Sequence, residues 1–149
     1  MTQDASSVYR CTEGHSASPV RLVTMLYEQL VKDLQRAVAA IEKNDVARRT
    51  NELDHALTVV GQLQGTLDMQ KGGQVAKNLD DYYYSLRVAL LQAQIRAVPE
   101  ILRKQIKILL DLREAWVQVE RSSQGTVEPP TSNSPMPQPS AEKTMRWSI

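Results

Sequence analysis

Phenylalanine is absent from this chain of 149 residues, and cysteine occurs once, as Cys11. A single thiol can form no internal disulfide and no thiolate cage for a metal. The two histidines, His15 and His55, have no second His or Cys at ligand spacing, so neither a metal nor a cofactor is expected. Charge of one sign is lacking too: 18 Lys and Arg against 17 Asp and Glu leave a formal charge of +1. That balance offers no field for gripping nucleic acid or an anionic membrane, and Arg48–Arg49 reads as solvated helix surface. No apolar run approaches the roughly 20 residues that cross a bilayer, so membrane insertion is not expected. The first residues, MTQDASSVYRCTEGHS, lack the basic start and apolar stretch of a signal peptide, so a cytoplasmic location is expected. Without Phe, a core must be built from Leu, Ile, Val, Tyr and Trp116.

Proline is missing from the whole interior between Pro19 and Pro99, so nothing there breaks a helix. Those two prolines stand where helical patterns begin, as suits a first helical position. Ser18 before Pro19 supplies an N-cap oxygen. From there Val23, Tyr27, Leu30, Leu34, Ala37 and Ile41 recur in steps of four and three, one face of a helix. Lys43-Asn44-Asp45 ends that helix and starts a second, with Leu53, Ala56, Leu57, Val60, Leu63 and Leu67. Gly72-Gly73 permits the next reversal. A third helix carries Val75, Leu79, Tyr82, Tyr83, Leu86, Leu90, Ala93 and Ala97. The fourth carries Leu102, Ile106, Leu109, Leu112 or Arg113, and Trp116. Connections this short force neighbouring helices to run antiparallel. The pattern predicts an all-α protein: an antiparallel four-helix bundle over residues 18–121, with a loose N-terminal arm (1–17) and a disordered Pro/Ser-rich tail (122–149). The tail is too poor in apolar residues to offset the entropy of ordering it.

Catalytic constellations are scarce. Asp80 and Asp81 are adjacent, so on a helix they point about 100° apart and cannot work as a paired acid and base. No Gly-rich phosphate loop follows a strand. One chemical alternative is a histidine phosphotransfer bundle using His55, which falls well away from the core stripe of its helix. In such domains a Lys and a Gly follow the His closely; here Thr58 and Val59 stand at those places. The expectation is a binding module, not an enzyme.

The third helix has too many apolar residues for one face. With Leu86 at zero and 100° per residue, Val75, Leu79, Tyr82, Leu90, Ala93 and Ala97 fall within roughly 40°. Tyr84, Val88, Leu91 and Ile95 fall between roughly 140° and 200°, on the opposite side, at spacings of four, three and four. A helix apolar on two opposed faces is buried on both or presents one to a partner. Val59 and Leu63 widen the apolar arc of the second helix, and Ile101, Ile108 and Val119 that of the fourth. Gly61 and Gly65 allow close approach by another helix. Tyr9, in the arm beside Val8, is placed at the same groove, where the arm would compete with a partner. The partner-binding set is therefore Tyr84, Val88, Leu91, Ile95, Val59, Leu63, Ile101, Ile108 and Tyr9. The alternative is a structural bundle that associates with itself through this stripe.

Several motifs occur together at matching spacing. They are Ser18-Pro19 with Met25-Leu26-Tyr27, then Leu63 with Leu67-Asp68, Gly72-Gly73, Ala76 and Asn78-Leu79-Asp80, then Ala93, Ile95 and Glu114-Ala115-Trp116. In these, from Tyr9 to Trp116, the chain resembles the flagellar secretion chaperone family FliS. It departs at Tyr82-Tyr83-Tyr84-Ser85, where that family has Leu-Tyr-x-Tyr, and at Gln94, where it favours Asn. The resemblance implies a cytoplasmic chaperone of flagellar type III export. Such a protein binds the C-terminal segment of flagellin, prevents its early polymerisation and delivers it for secretion. The client is disordered when free and wraps the bundle as helices, a use that suits a long apolar groove.

Overall fold

The structure, a computed structural model, describes residues 8–10 and 18–125, with side chains as far as 122. Four helices follow in order: α1 Pro19–Glu42, α2 Val46–Gly65, α3 Gly73–Arg96 and α4 Pro99–Gly125. The last continues four residues past the boundary expected from sequence. α1 packs most extensively, against α2 on one side and α4 on the other, while α3 closes the bundle with a lighter grip on both neighbours.

The helix ends follow from their capping chemistry. Ser18 Oγ accepts from the Arg21 amide at 3.1 Å and donates to the Glu120 carboxylate at 3.0 Å, tying the start of α1 to the end of α4. Asn44 takes the left-handed conformation, with φ 58°, and the Asp45 carboxylate accepts from the Arg48 amide at 3.1 Å to begin α2. Asp68 Oδ1 accepts from the Gln70 and Lys71 amides and so shapes the turn into α3. The two glycines there serve different needs. A Cβ on Gly72 would lie 2.6 Å from both Ala76 Cβ and the Asp68 carbonyl oxygen, whereas Gly73 has φ +58°. The first is required by crowding and the second by handedness.

The core is layered Leu around three tyrosines. Leu30, Leu34, Leu86, Leu90, Leu102 and Leu109 are fully buried, and so are Tyr9, Tyr27 and Tyr83. The Tyr83 hydroxyl shares hydrogen bonds with those of Tyr9 and Tyr27, each 2.5 Å long. Buried phenols need such partners. Burial pushes all three phenols up from their ordinary pKa, so the cluster is neutral.

Residues 8–10 of the expected loose arm are fixed in place. The Asp68 amide donates to the Val8 carbonyl at 2.7 Å, and the Arg10 amide donates to the Thr66 carbonyl at 2.8 Å. Val8 and Tyr9 are buried, and the Tyr9 ring meets Trp116 edge-on at 5.7 Å. The rest of the arm, and the tail beyond Gly125, lie outside the described residues.

Three details of the expected core change, and one open choice on α4 is settled. On α3 Tyr83, not Tyr82, enters the interior, because its hydroxyl finds Tyr9 and Tyr27; the half-buried Tyr82 donates instead to Gln105 at 2.9 Å on α4. Val75 is exposed in the first turn of α3. On α2 Leu57 is only half-buried, and Val59 takes the interior place. On α4 Leu112 is buried while Arg113 pairs outward with Glu28.

Candidate partner-binding surface

The outer face of α3 is apolar and open. Tyr84, Val88, Leu91 and Ile95 are 65%, 38%, 48% and 82% exposed, respectively. They occupy one side of the helix because their spacing of four, three and four tracks its turn, while Leu79, Tyr83, Leu86 and Leu90 fill the other side. Single exposed apolar residues are ordinary on a protein surface; a row of four along three turns is not.

The remaining expected site residues are distributed differently. Val59 and Leu63 do not reach this surface: both are buried, since α2 lies between α1 and α3 and both neighbours cover its widened arc. Ile101 and Ile108 are half-buried and packed against the core from α4. Tyr9 is buried on the inner side of α3, bonded to Tyr83, and residues 8–10 therefore do not cover the row that begins at Tyr84.

Two features escape the apolar pattern. The first is a polar ladder across the α2–α3 crevice. Arg87 Nη2 donates to Gln64 Oε1 at 2.9 Å, and Gln64 Nε2 donates to Asp80 at 3.2 Å. Further along, Arg49 Nε donates to Gln94 Oε1 at 3.3 Å, and Gln94 Nε2 donates to Thr50 at 2.8 Å. Asp80, Arg87 and Gln94 stand seven apart, a spacing that could have been read from the sequence. The second is an apolar recess of about 480 Å³, lined by Tyr9, Leu22, Met25 and Leu26 among others. It depends on where residues 8–10 dock, which no local pattern reveals.

His55 is exposed, as its helical angle suggested, yet it is not unengaged: Nδ1 lies 2.5 Å from the Asp33 carboxylate. Asp33 is buried on α1 and also accepts from Gln29 Nε2 at 2.9 Å, so His55 belongs to the α1–α2 packing. Among the described residues no group of three His, Cys, Asp or Glu is placed to hold a metal ion. No described helix is long and apolar enough to cross a membrane.

A family model described as flagellar protein FliS matches residues 1–123. The chain belongs to the FliS family. The flagellar secretion chaperone FliS of Salmonella typhimurium is 33% identical over 105 residues, covering 70% of this chain and 78% of that protein. That of Vibrio cholerae is 31% identical over 104 residues, covering 70% and 76%. The Campylobacter jejuni chaperone is 29% identical over 118 residues, 79% of this chain and 92% of its own length. Leu67-Asp68 and Gly72-Gly73, two of the segments on which the resemblance in sequence rests, lie in the turn from α2 into α3. Asp68 caps the loop, Gly72 admits the close approach of Val8 and Ala76, and Gly73 supplies the positive φ.

Proposed function

We propose that this FliS-family chain is a cytoplasmic export chaperone for flagellin. It binds the C-terminal segment of the client, holds it from premature polymerisation and delivers it to type III secretion. The observation that carries this reading is the open apolar row of Tyr84, Val88, Leu91 and Ile95 on a helix whose other side is already core. Membership in a family whose relatives are named flagellar secretion chaperones supports an exported flagellar protein as the client. A segment that is unfolded when free and helical when bound needs a long groove and little else, so no catalytic group is required. Ile101 and Ile108, half-exposed on α4, extend the apolar surface available to a client that wraps the bundle.

The phosphotransfer alternative gains nothing from the geometry, since His55 is engaged by Asp33. The deciding experiment is isothermal titration of the purified chain against a peptide from the flagellin C-terminus. Saturable binding that Leu91→Asp removes supports the proposal. Absence of heat and of complex in sedimentation would sink it.

A further inference from the structure

The outer face of α3 carries a register as well as apolar area. Counted as heptads, Val88 and Ile95 stand at a, and Tyr84 and Leu91 at d. β-branched residues at a with Leu at d form the seam of paired helices. One heptad earlier the same positions hold Lys77 and Asp81, so the apolar seam ends there. It runs about 17 Å, three turns of one docked helix.

The edges of such a seam set partner choice. On the side away from α2 the flanking positions are Ser85 and Gln92, both neutral. On the α2 side they are Asp80, Arg87 and Gln94, and Gln94 holds the guanidinium of Arg49 from α2. Arg87 and Arg49 are each half-buried, and each is bonded to a glutamine carbonyl oxygen. Among the described residues no carboxylate lies within ion-pair distance of either, although Arg48, Arg103 and Arg113 each have one. Two cations without an ion-pair partner thus border the seam, one at Arg87 and one held by Gln94 seven residues further along α3, and Arg87 reaches the Asp80 carboxylate only through Gln64. An incoming carboxylate would gain more there than at a fully solvated charge.

Resting on the proposed client role of this face, we infer that the helix docking on the seam carries acidic residues seven apart beside its apolar stripe. These pair with Arg87 and Arg49, which makes the two arginines the residues that select the client. A second copy of this chain does not meet the requirement. In a parallel pair Arg87 would face Gln92 of the other copy, and in a fully overlapped antiparallel pair it would face Gln94. Neither is acidic, so the charge pattern favours a different chain as occupant.

The test titrates the full chain and its Arg87→Glu and Arg49→Glu variants with a flagellin C-terminal peptide. A peptide series in which each Asp or Glu is changed to Lys runs in parallel. Arg87→Glu is expected to weaken binding about tenfold, and one Lys-bearing peptide to recover most of that loss with this variant alone. Unchanged affinity, or a loss that no peptide recovers, overturns the inference. Leu91→Asp separates the two levels. If it abolishes binding while both arginine variants bind normally, the seam stands and the acidic pairing falls. If it binds normally, the seam itself is wrong. Should Arg87→Glu fail to fold, Arg87→Gln decides through salt. Wild-type affinity should fall more steeply than that of the variant between about 50 and 500 mM salt, and parallel salt dependences overturn the inference.

Discussion

Tyr9 and Tyr83, 74 positions apart, share a hydrogen bond inside the core, and Tyr83 in turn shares one with Tyr27. The short segment around Tyr9 is therefore a structural member of the bundle. Tyr9→Ala should destabilise the fold by about 3–5 kcal/mol, as for a large buried aromatic ring. Tyr9→Phe keeps the ring and leaves Tyr83 bonded to Tyr27, so about 1 kcal/mol is expected. Urea melting of both variants measures the difference. Equal, small losses would show that residues 8–10 contribute little to stability.

The two faces of α3 should separate in a paired experiment. Leu86 is fully buried, and Leu86→Ala should lose about 2–5 kcal/mol of stability by leaving a cavity. Leu91 is half in water, so Leu91→Asp should leave the melting curve nearly unchanged. On binding, however, it would place an unpaired charge against apolar surface, and client affinity should drop by about two orders of magnitude. A stability loss at Leu91 equal to that at Leu86 would contradict the outward placement.

The tyrosine cluster gives stability a dependence on alkaline pH. Burial raises the pKa of Tyr9, Tyr27 and Tyr83 in the folded state, while the unfolded chain keeps values near 10. A phenol raised in this way binds its proton more tightly when folded. Its contribution is complete below about pH 10 and is lost as pH climbs from there toward the folded values. Denaturant midpoints should be flat from about pH 8 to 9.5 and fall above pH 10. Tyr83→Phe should flatten that fall; an unaltered slope would assign it to other groups.

The α2–α3 turn should distinguish its two glycines. Gly72→Ala forces a methyl to within 2.6 Å of backbone and side-chain atoms, and should destabilise by about 3 kcal/mol or more. Gly73→Ala meets no atom but retains the positive φ, so about 1 kcal/mol is expected. Thermal melts of the two variants rank them, and the reverse order would contradict the account of the turn.

Much of the bundle was legible because its signals are local. Ser18-Pro19, Asn44-Asp45 and Gly72-Gly73 mark ends through capping and handedness, which neighbours in sequence decide. The outward row Tyr84, Val88, Leu91 and Ile95 was legible from helical angle alone. What angle cannot supply is how wide an arc the neighbours cover. Val59 and Leu63 were expected at the partner surface, yet α1 and α3 enclose them. The choice of Tyr83 over Tyr82 depends on hydroxyl partners from α1 and from residues 8–10. Nothing near Val8, Tyr9 and Arg10 announces that they will pair with Asp68, Leu67 and Thr66. The polar ladder on α3 repeats every seven residues, but its bonds reach to Gln64 and Arg49 on another helix.

The seat of Tyr9 also orders events in time during synthesis. Residue 9 is made before any of its partners, and Tyr83 follows 74 residues later. At about 5–20 residues per second the ribosome needs roughly 4–15 s to add that stretch. Throughout that interval Val8 and Tyr9 have no crevice to enter, because α3 supplies one wall of it and Trp116 of α4 another. The first-made segment of the described chain can therefore take its seat only after α3 and the Trp116 turn of α4 have been made.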